Sequence, residues 1–186
     1  WIFTSIILFC TSEAFPGMQV IWSTYYSSRQ GMHDVVYDMV VDKNGFIYVT
    51  GHVTNLGCVT MKYSSGGVRQ WVSIYNNYPG SDKGGRSINV DDSGNVYVTG
   101  NYFEGGYFLI KYNSQGVQQW VSNSGNFFDP ILQGLDVTSD KYGNVYTAVK
   151  VWGDNGYYWG TIKYNNAGIV QWYKLLYCSS WGVPYR

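Results

Sequence analysis

Two short sequences alternate along this chain, each present three times in a fixed register. One is VDKNGFIYVTG (41–51), VDDSGNVYVTG (90–100) and SDKYGNVYTAV (139–149). The other is MKYSSGGVRQW (61–71), IKYNSQGVQQW (110–120) and IKYNNAGIVQW (162–172). Gly45, Gly94 and Gly143 stand 49 residues apart, as do Tyr48, Tyr97 and Tyr146. Trp22, Trp71, Trp120 and Trp172 follow at intervals of 49, 49 and 52. Repeats of this length mean stacked supersecondary units that bury their faces only against one another. The extra three residues can be located, because Tyr48 to Lys62 and Tyr97 to Lys111 each span 14 residues whereas Tyr146 to Lys163 spans 17. That interval places the insertion in a loop around residues 152–158.

Each unit predicts four short strands. The first (37–42, 86–91, 135–140) alternates in polarity, with Met39 and Val41, or Ile88 and Val90, on one side and Val40 or Asn89 on the other. A turn follows in which Gly45, Gly94 or Gly143 takes the left-handed backbone conformation beside Asp, Asn or Ser. The second strand (46–50, 96–99, 145–148) is rich in β-branched and aromatic residues. The third ends at Lys62-Tyr63, Lys111-Tyr112 or Lys163-Tyr164, and the fourth is centred on Trp71, Trp120 or Trp172. No stretch sustains a 3.6-residue period, so helix is expected to be nearly absent. Four strands per unit, repeated radially, predict an all-β chain of β-propeller blades. The blades span 37–85, 86–134 and 135–177, with a strand-like segment at 15–36 before them and a tail at 178–186. Three blades do not close a ring, which takes about four to eight, so an incomplete ring is expected, completed by blades of a longer chain or by self-association. Aromatic residues make up 19% of the chain and charged residues 13%, so the repeated Tyr and Trp are read as packing between blades.

The units GNVYVTG and IKYNSQGVQQWV resemble the bacterial SBBP repeat, a β-propeller repeat, from Trp22 to about Tyr177. The resemblance is looser in the third unit, where Val149 replaces the glycine that follows the second strand in the others. It implies a secreted or surface-attached bacterial propeller, and it brings no catalytic residues with it. Residues 2–9 (IFTSIILF) form an apolar run too short to span a membrane. Ser12 and Ala14 stand at the −3 and −1 positions of a signal-peptidase cut before Phe15, so residues 1–14 are read as a truncated signal peptide. Phe9 before Cys10 excludes a lipidation site, which leaves Cys58 and Cys178 as either a free pair or a disulfide.

Lys plus Arg and Asp plus Glu are 12 each, giving a net charge of zero with dispersed basic residues, which argues against nucleic acid or an anionic membrane as partner. Lys62, Lys111 and Lys163 are read as stems packed along the blade with the ammonium in solvent. His33 and His52 lack ligand spacing. The run from Asp42 to Gly45 lacks the further oxygens of a calcium loop, so Asp42, Asp91 and Asp140 are read as turn caps. Asp34, Asp38, Asp129 and Asp136 form no convincing acid pair. The Asn113, Gly116, Trp120 spacing resembles the tryptophan-docking motif of quinoprotein propellers without its leading Ala and Asp, and is taken as blade packing. No catalytic residue, metal site or cofactor is assigned. The expected function is a non-catalytic scaffold, secreted or at the cell surface, that binds protein or glycan through loops that do not repeat (75–85, 122–133, 152–159). Trp152, Tyr157, Tyr158 and Trp159 are the candidate sugar-stacking residues. The alternative is part of a propeller enzyme, a glycan hydrolase or lyase or a quinoprotein.

Overall fold

The computed structural model describes residues 34–76, 84–102, 106–123, 131–153 and 156–178, together with Ser23. Twelve strands form three four-stranded antiparallel sheets in which the order of strands is the order of the chain. Sheet 1 holds β1 (Val35–Val41), β2 (Ile47–Val53), β3 (Gly57–Tyr63) and β4 (Arg69–Tyr75). Sheet 2 holds β5 (Gly85–Val90), β6 (Val96–Tyr102), β7 (Gly106–Tyr112) and β8 (Gln118–Asn123). Sheet 3 holds β9 (Ile131–Ser139), β10 (Val145–Gly153), β11 (Gly156–Tyr164) and β12 (Val170–Cys178). Helix is absent among the described residues, as expected. The three sheets are partial propeller blades that close no ring among those residues. The segments 1–14 and 179–186, with Trp22, His33 and Asp129, lie outside the described residues.

The turns form as their residues dictate. Gly45, Gly94 and Gly143 have φ of 82°, 80° and 78°, the left-handed region open to glycine. Before each, one carboxylate oxygen accepts two backbone N–H groups: Asp42 from Asn44 and Phe46, Asp91 from Ser93 and Asn95, Asp140 from Tyr142 and Asn144. The other oxygen accepts the hydroxyl of Tyr48, Tyr97 or Tyr146 at 3.0–3.1 Å, tying the turn to the second strand. Hydrogen bonds led by that from Asn144 hold the Asp140 carboxyl below its ordinary range.

Two bulges recur in every sheet. The innermost strand skips Tyr37, Arg86 or Leu135 in its pairing, and the outermost skips Gln70, Gln119 or Gln171. The three skipped glutamines each return a side-chain N–H to the carbonyl two residues back, at Val68, Val117 and Ile169. Each outer bulge therefore falls just before the repeated tryptophan, where it re-aims the strand.

The second strands run further than predicted. Gly51 and Gly100 were expected to end them, but β2 continues to Val53 and β6 to Tyr102. These glycines lie within the ladder at a close approach to the bulged inner strand. A Cβ on Gly51 would stand 2.0 Å from the Val35 carbonyl oxygen, and one on Gly100 2.2 Å from that of Gly84.

The insertion also corrects the prediction, since it lengthens a hairpin instead of a loop. In sheet 2, Tyr97 pairs with Lys111 and the ladder ends at Tyr102 and Gly106, five residues along each strand. In sheet 3, Tyr146 pairs with Lys163 and the ladder ends at Gly153 and Gly156, seven along each. Two residues are gained per strand and one is lost from the turn, a net of three. The residues gained include Trp152 and Tyr157, aromatics that favour a pleated ladder over a loop.

Sheet 2 is covered on both faces. Tyr48, Cys58 and Tyr75 of sheet 1 pack with Ile88, Val96, Val98, Phe108, Ile110 and Tyr112 of sheet 2. The opposite face of sheet 2 packs Tyr97, Tyr107 and Leu109 against Val137, Val145, Val149, Ile162 and Tyr164 of sheet 3. The predicted alternation in the first strand holds here, for Ile88 joins the seam with sheet 1 while Asn89 reaches sheet 3 and accepts the Ser139 hydroxyl at 2.7 Å.

Candidate functional site

The repeated aromatic and cationic residues of the first two units belong to the seams, and those of the third stand at the same positions on the outward face of sheet 3. The Trp71 indole N–H donates to the Ser114 carbonyl at 3.1 Å, and that of Trp120 to the Asn166 carbonyl at 2.9 Å. Their rings lie over Gly116 and Gly168, where a Cβ would come within 2.6 Å and 2.7 Å of the indole. The Asn113, Gly116, Trp120 element is thus a docking device between neighbouring sheets. The ammonium groups of Lys62, Lys111 and Lys163 sit 5.1, 5.5 and 5.4 Å from the ring centres of Tyr48, Tyr97 and Tyr146. Lys111 departs from the expected pose, since it is buried in the seam with sheet 3, donates to Asn166 and has its pKa lowered by burial.

The scattered acids hold backbone. Asp38 accepts the N–H of Met39 and, across the seam, that of Ile88. Asp136 accepts the N–H of Val137 and the Ser87 hydroxyl at 2.7 Å. Asp34 accepts the N–H of Thr54. His52 is buried within β2. Among the described residues no three His, Cys, Asp or Glu side chains gather as metal ligands would. Cys58 is a free, buried thiol, packed beside the hydroxyl of Thr50, and burial pushes its pKa up to about 11.

One face differs from the seams: the side of sheet 3 turned away from sheet 2. Trp152 pairs with Tyr157 and Lys150 with Trp159, so these four side chains share a face on alternate rungs. The rings of Trp152 and Tyr157 meet edge-on at 5.7 Å, and the Lys150 ammonium lies 4.7 Å and 4.5 Å from their centres. Trp159 is 54% exposed and Tyr157 38%. Tyr158, the fourth predicted residue, points the other way. It pairs with Val151, packs against the seam core with sheet 2 and meets Tyr177 at 5.2 Å. Strand alternation separates it from its neighbours, which a loop would not have required. A loop over residues 152–159 gives Lys150 no place beside the aromatics, whereas paired strands set it opposite Trp159.

The lower part of this face repeats the seams, with Tyr146, Lys163 and Trp172 where sheet 2 has Tyr97, Lys111 and Trp120. The upper part does not. Asn101 of sheet 2 accepts the N–H of Gly134 at 2.8 Å, anchoring the first strand of sheet 3. Sheet 3 has Lys150 at that place, which has no acceptor to offer. Thr99 and Tyr107 of sheet 2 become Ala148 and Trp159, and Ser122 becomes Lys174. The rung of Trp152 and Tyr157 has no counterpart in sheet 2, whose ladder ends one rung earlier at Tyr102 and Gly106.

A family model, SBBP beta-propeller repeat, matches residues 21–54, so the chain carries a β-propeller repeat of this kind there. No curated protein matches the chain. Among solved structures, the chain is similar to a protein of unknown function from Bacteroides caccae, with 15% identity and a TM-score of 0.51 over 83% of this chain and 50% of that one. It is also similar to a polysaccharide lyase of family PL25, an ulvan lyase bound to -[GlcA(1-4)Rha3S]-, with 10% identity and a TM-score of 0.50 over 74% of this chain and 42% of that one. The chain therefore spans half or less of the length of these structures, and at such identity the likeness shows the fold alone.

Proposed function

We propose that this chain is a binding module of a secreted or cell-surface β-propeller protein, without catalysis of its own, and that its ligand is a glycan or protein held at the lengthened hairpin of β10 and β11. The observation that carries this reading is the added rung. Trp152 and Tyr157 stand on residues gained only by the third unit, beyond the last rung of sheet 2, with the Lys150 ammonium against both rings. Blade scaffolds fix the backbone and leave such departures to function. The acids of the inner strands support a module over an enzyme, because Asp34, Asp38 and Asp136 are each engaged with backbone N–H groups. The secreted reading draws support from the apolar run at residues 2–9 and the Ser12 and Ala14 pair.

A glycan array probed with the purified protein tests the module. Binding without turnover of the bound glycan, reduced in Trp159→Ala, is expected. Release of new reducing or unsaturated ends from a bound polysaccharide would replace the module by an enzyme.

A further inference from the structure

We infer that the lower rungs of the outward face of sheet 3 form a third seam, whose occupant is a further sheet of this same repeat docked by a turn that sets a left-handed glycine under Trp172. This is independent of the ligand reading of the β10–β11 hairpin, because the rung of Trp152 and Tyr157 lies beyond those rungs. The face is assembled as the two filled seams are. The rings of Tyr146 and Trp172 are 6.2 Å apart, against 6.1 Å for Tyr48 and Trp71 and 6.4 Å for Tyr97 and Trp120. Lys163 stands over Tyr146 as Lys62 stands over Tyr48. In the filled seams each indole N–H reaches a carbonyl of the next sheet's turn. The Trp172 N–H has no acceptor among the described residues, and its side chain is 41% exposed.

A carboxylate repeats the pattern. Asp38 gives one oxygen to the N–H of Met39 and the other, across the seam, to that of Ile88. Asp136 holds the same repeat position in sheet 3. One of its oxygens takes the Val137 N–H and the Ser87 hydroxyl, and the other has no donor among the described residues. One donor and one acceptor thus stand unfilled at positions that a filled seam uses, and both call for backbone groups of a partner. The side-chain demand on that partner is a glycine, since a Cβ on Gly116 or Gly168 would come within 2.6 Å or 2.7 Å of the indole. A second copy of the chain does not supply such a partner. The face that sheets 2 and 3 turn to their predecessors is made in sheet 1 of Val53, Val59, Met61 and Tyr63, which are already at most 7% exposed. Each repeat of a stack buries its face on a neighbour of its own kind, and a further unit fits here.

The test is the chain extended after Tyr177 by a second copy of residues 126–177. Unit three is copied because Trp159 stands at the place of Tyr107, and sheet 3 is the sheet that already receives an aromatic there. Trp172→Phe in the copy leaves a single Trp172 to be read. Hydroxyl-radical footprinting by mass spectrometry gives the oxidation rate of each tryptophan. In the unextended chain Trp172 is expected to oxidise faster than Trp71 and Trp120. In the extended chain its rate is expected to fall to theirs, and to return to the fast value when Gly168→Val is made in the copy alone. Ala167→Ser, at the exposed neighbour of that glycine, leaves the protection intact. A folded copy that leaves Trp172 as fast as before overturns the inference. So does a copy that adds no strand signal in circular dichroism, because the face then fails to support a sheet of its own repeat. Protection that survives Gly168→Val overturns docking by the glycine, and protection of the unextended chain that grows with protein concentration gives the face to a second copy instead.

Discussion

The seam between sheets 1 and 2 and the seam between sheets 2 and 3 use equivalent strands at equivalent register, yet their centres are chemically different. Their rims agree. In each, an indole N–H reaches a turn carbonyl and the ring covers a left-handed glycine, Trp71 on Gly116 and Trp120 on Gly168. At the centre of the second seam, the Tyr107 hydroxyl donates to Thr147 at 3.1 Å and lies 3.1 Å from the Tyr164 hydroxyl. In the first seam Cys58 stands at the place of Tyr107, Val98 at that of Thr147, and Tyr112 at that of Tyr164. The Tyr112 hydroxyl is buried without a hydrogen-bond partner. The difference teaches that turn chemistry fixes how sheets dock, while the middle of a seam tolerates exchange of polar for apolar groups.

The strongest way to break the comparison is at the shared rim. Trp71→Ala removes a ring and a hydrogen bond from the first seam and is expected to cost about 3 kcal/mol in urea unfolding. Gly116→Ala is expected to cost a similar amount, because it adds a left-handed alanine of about 1–2 kcal/mol and also displaces the indole. Gly45→Ala is the control. Its φ is also positive, at 82°, but its Cβ would meet only Ser65 at 3.6 Å, so it bears the backbone cost alone. If Gly116→Ala proves no worse than Gly45→Ala, docking on the glycine does not hold the seams.

A smaller effect separates the seams by pH. Burial raises the Cys58 thiol from 9.0 to about 11, so the folded state keeps a proton that the unfolded chain has released between those values. Its stabilising contribution is whole below pH 9, falls as pH rises through that window and is gone above it, a loss of about 2–3 kcal/mol. Cys58 belongs to the first seam alone. Cys58→Ala should remove this first alkaline step from a series of melting temperatures against pH. Burial also holds Tyr107, Tyr112 and Tyr164 above their ordinary 10.0, so a later decline common to both seams should remain. A melting profile in which Cys58→Ala keeps the early step would place its origin elsewhere.

Much of this was legible from residue spacing. The turns with Asp42, Asp91 and Asp140 were, since short-range hydrogen bonding leaves their residues little choice. The strand count and the docking role of the tryptophans followed from the repeat. The close-approach glycines were not, because Gly51 looks like a turn residue until the Val35 carbonyl is placed against it. The candidate face was half legible. Its aromatics were visible, but the split of Tyr158 from Trp152, Tyr157 and Trp159, and the arrival of Lys150, depend on strand pairing across the insertion. Repeats disclose what is copied, and pairing discloses where the uncopied residues point.

The finest test compares one hydroxyl in the two seams. Tyr164→Phe removes a hydroxyl that lies within hydrogen-bond distance of Tyr107, and it is expected to destabilise by about 1 kcal/mol. Tyr112→Phe removes an equivalent hydroxyl that has no partner and whose burial has already stripped it of water. That change is expected to stabilise by about 1 kcal/mol, because the desolvation cost of an unpaired group disappears with it. The two substitutions are chemically identical and stand at the same repeat position, so propensity and volume effects cancel between them. Urea unfolding of the pair then reads the seam centres directly, as midpoints moving in opposite directions. Equal losses in both would mean that the Tyr112 hydroxyl finds a partner such as a bound water in solution, and the centres would then be alike in polarity despite their different residues.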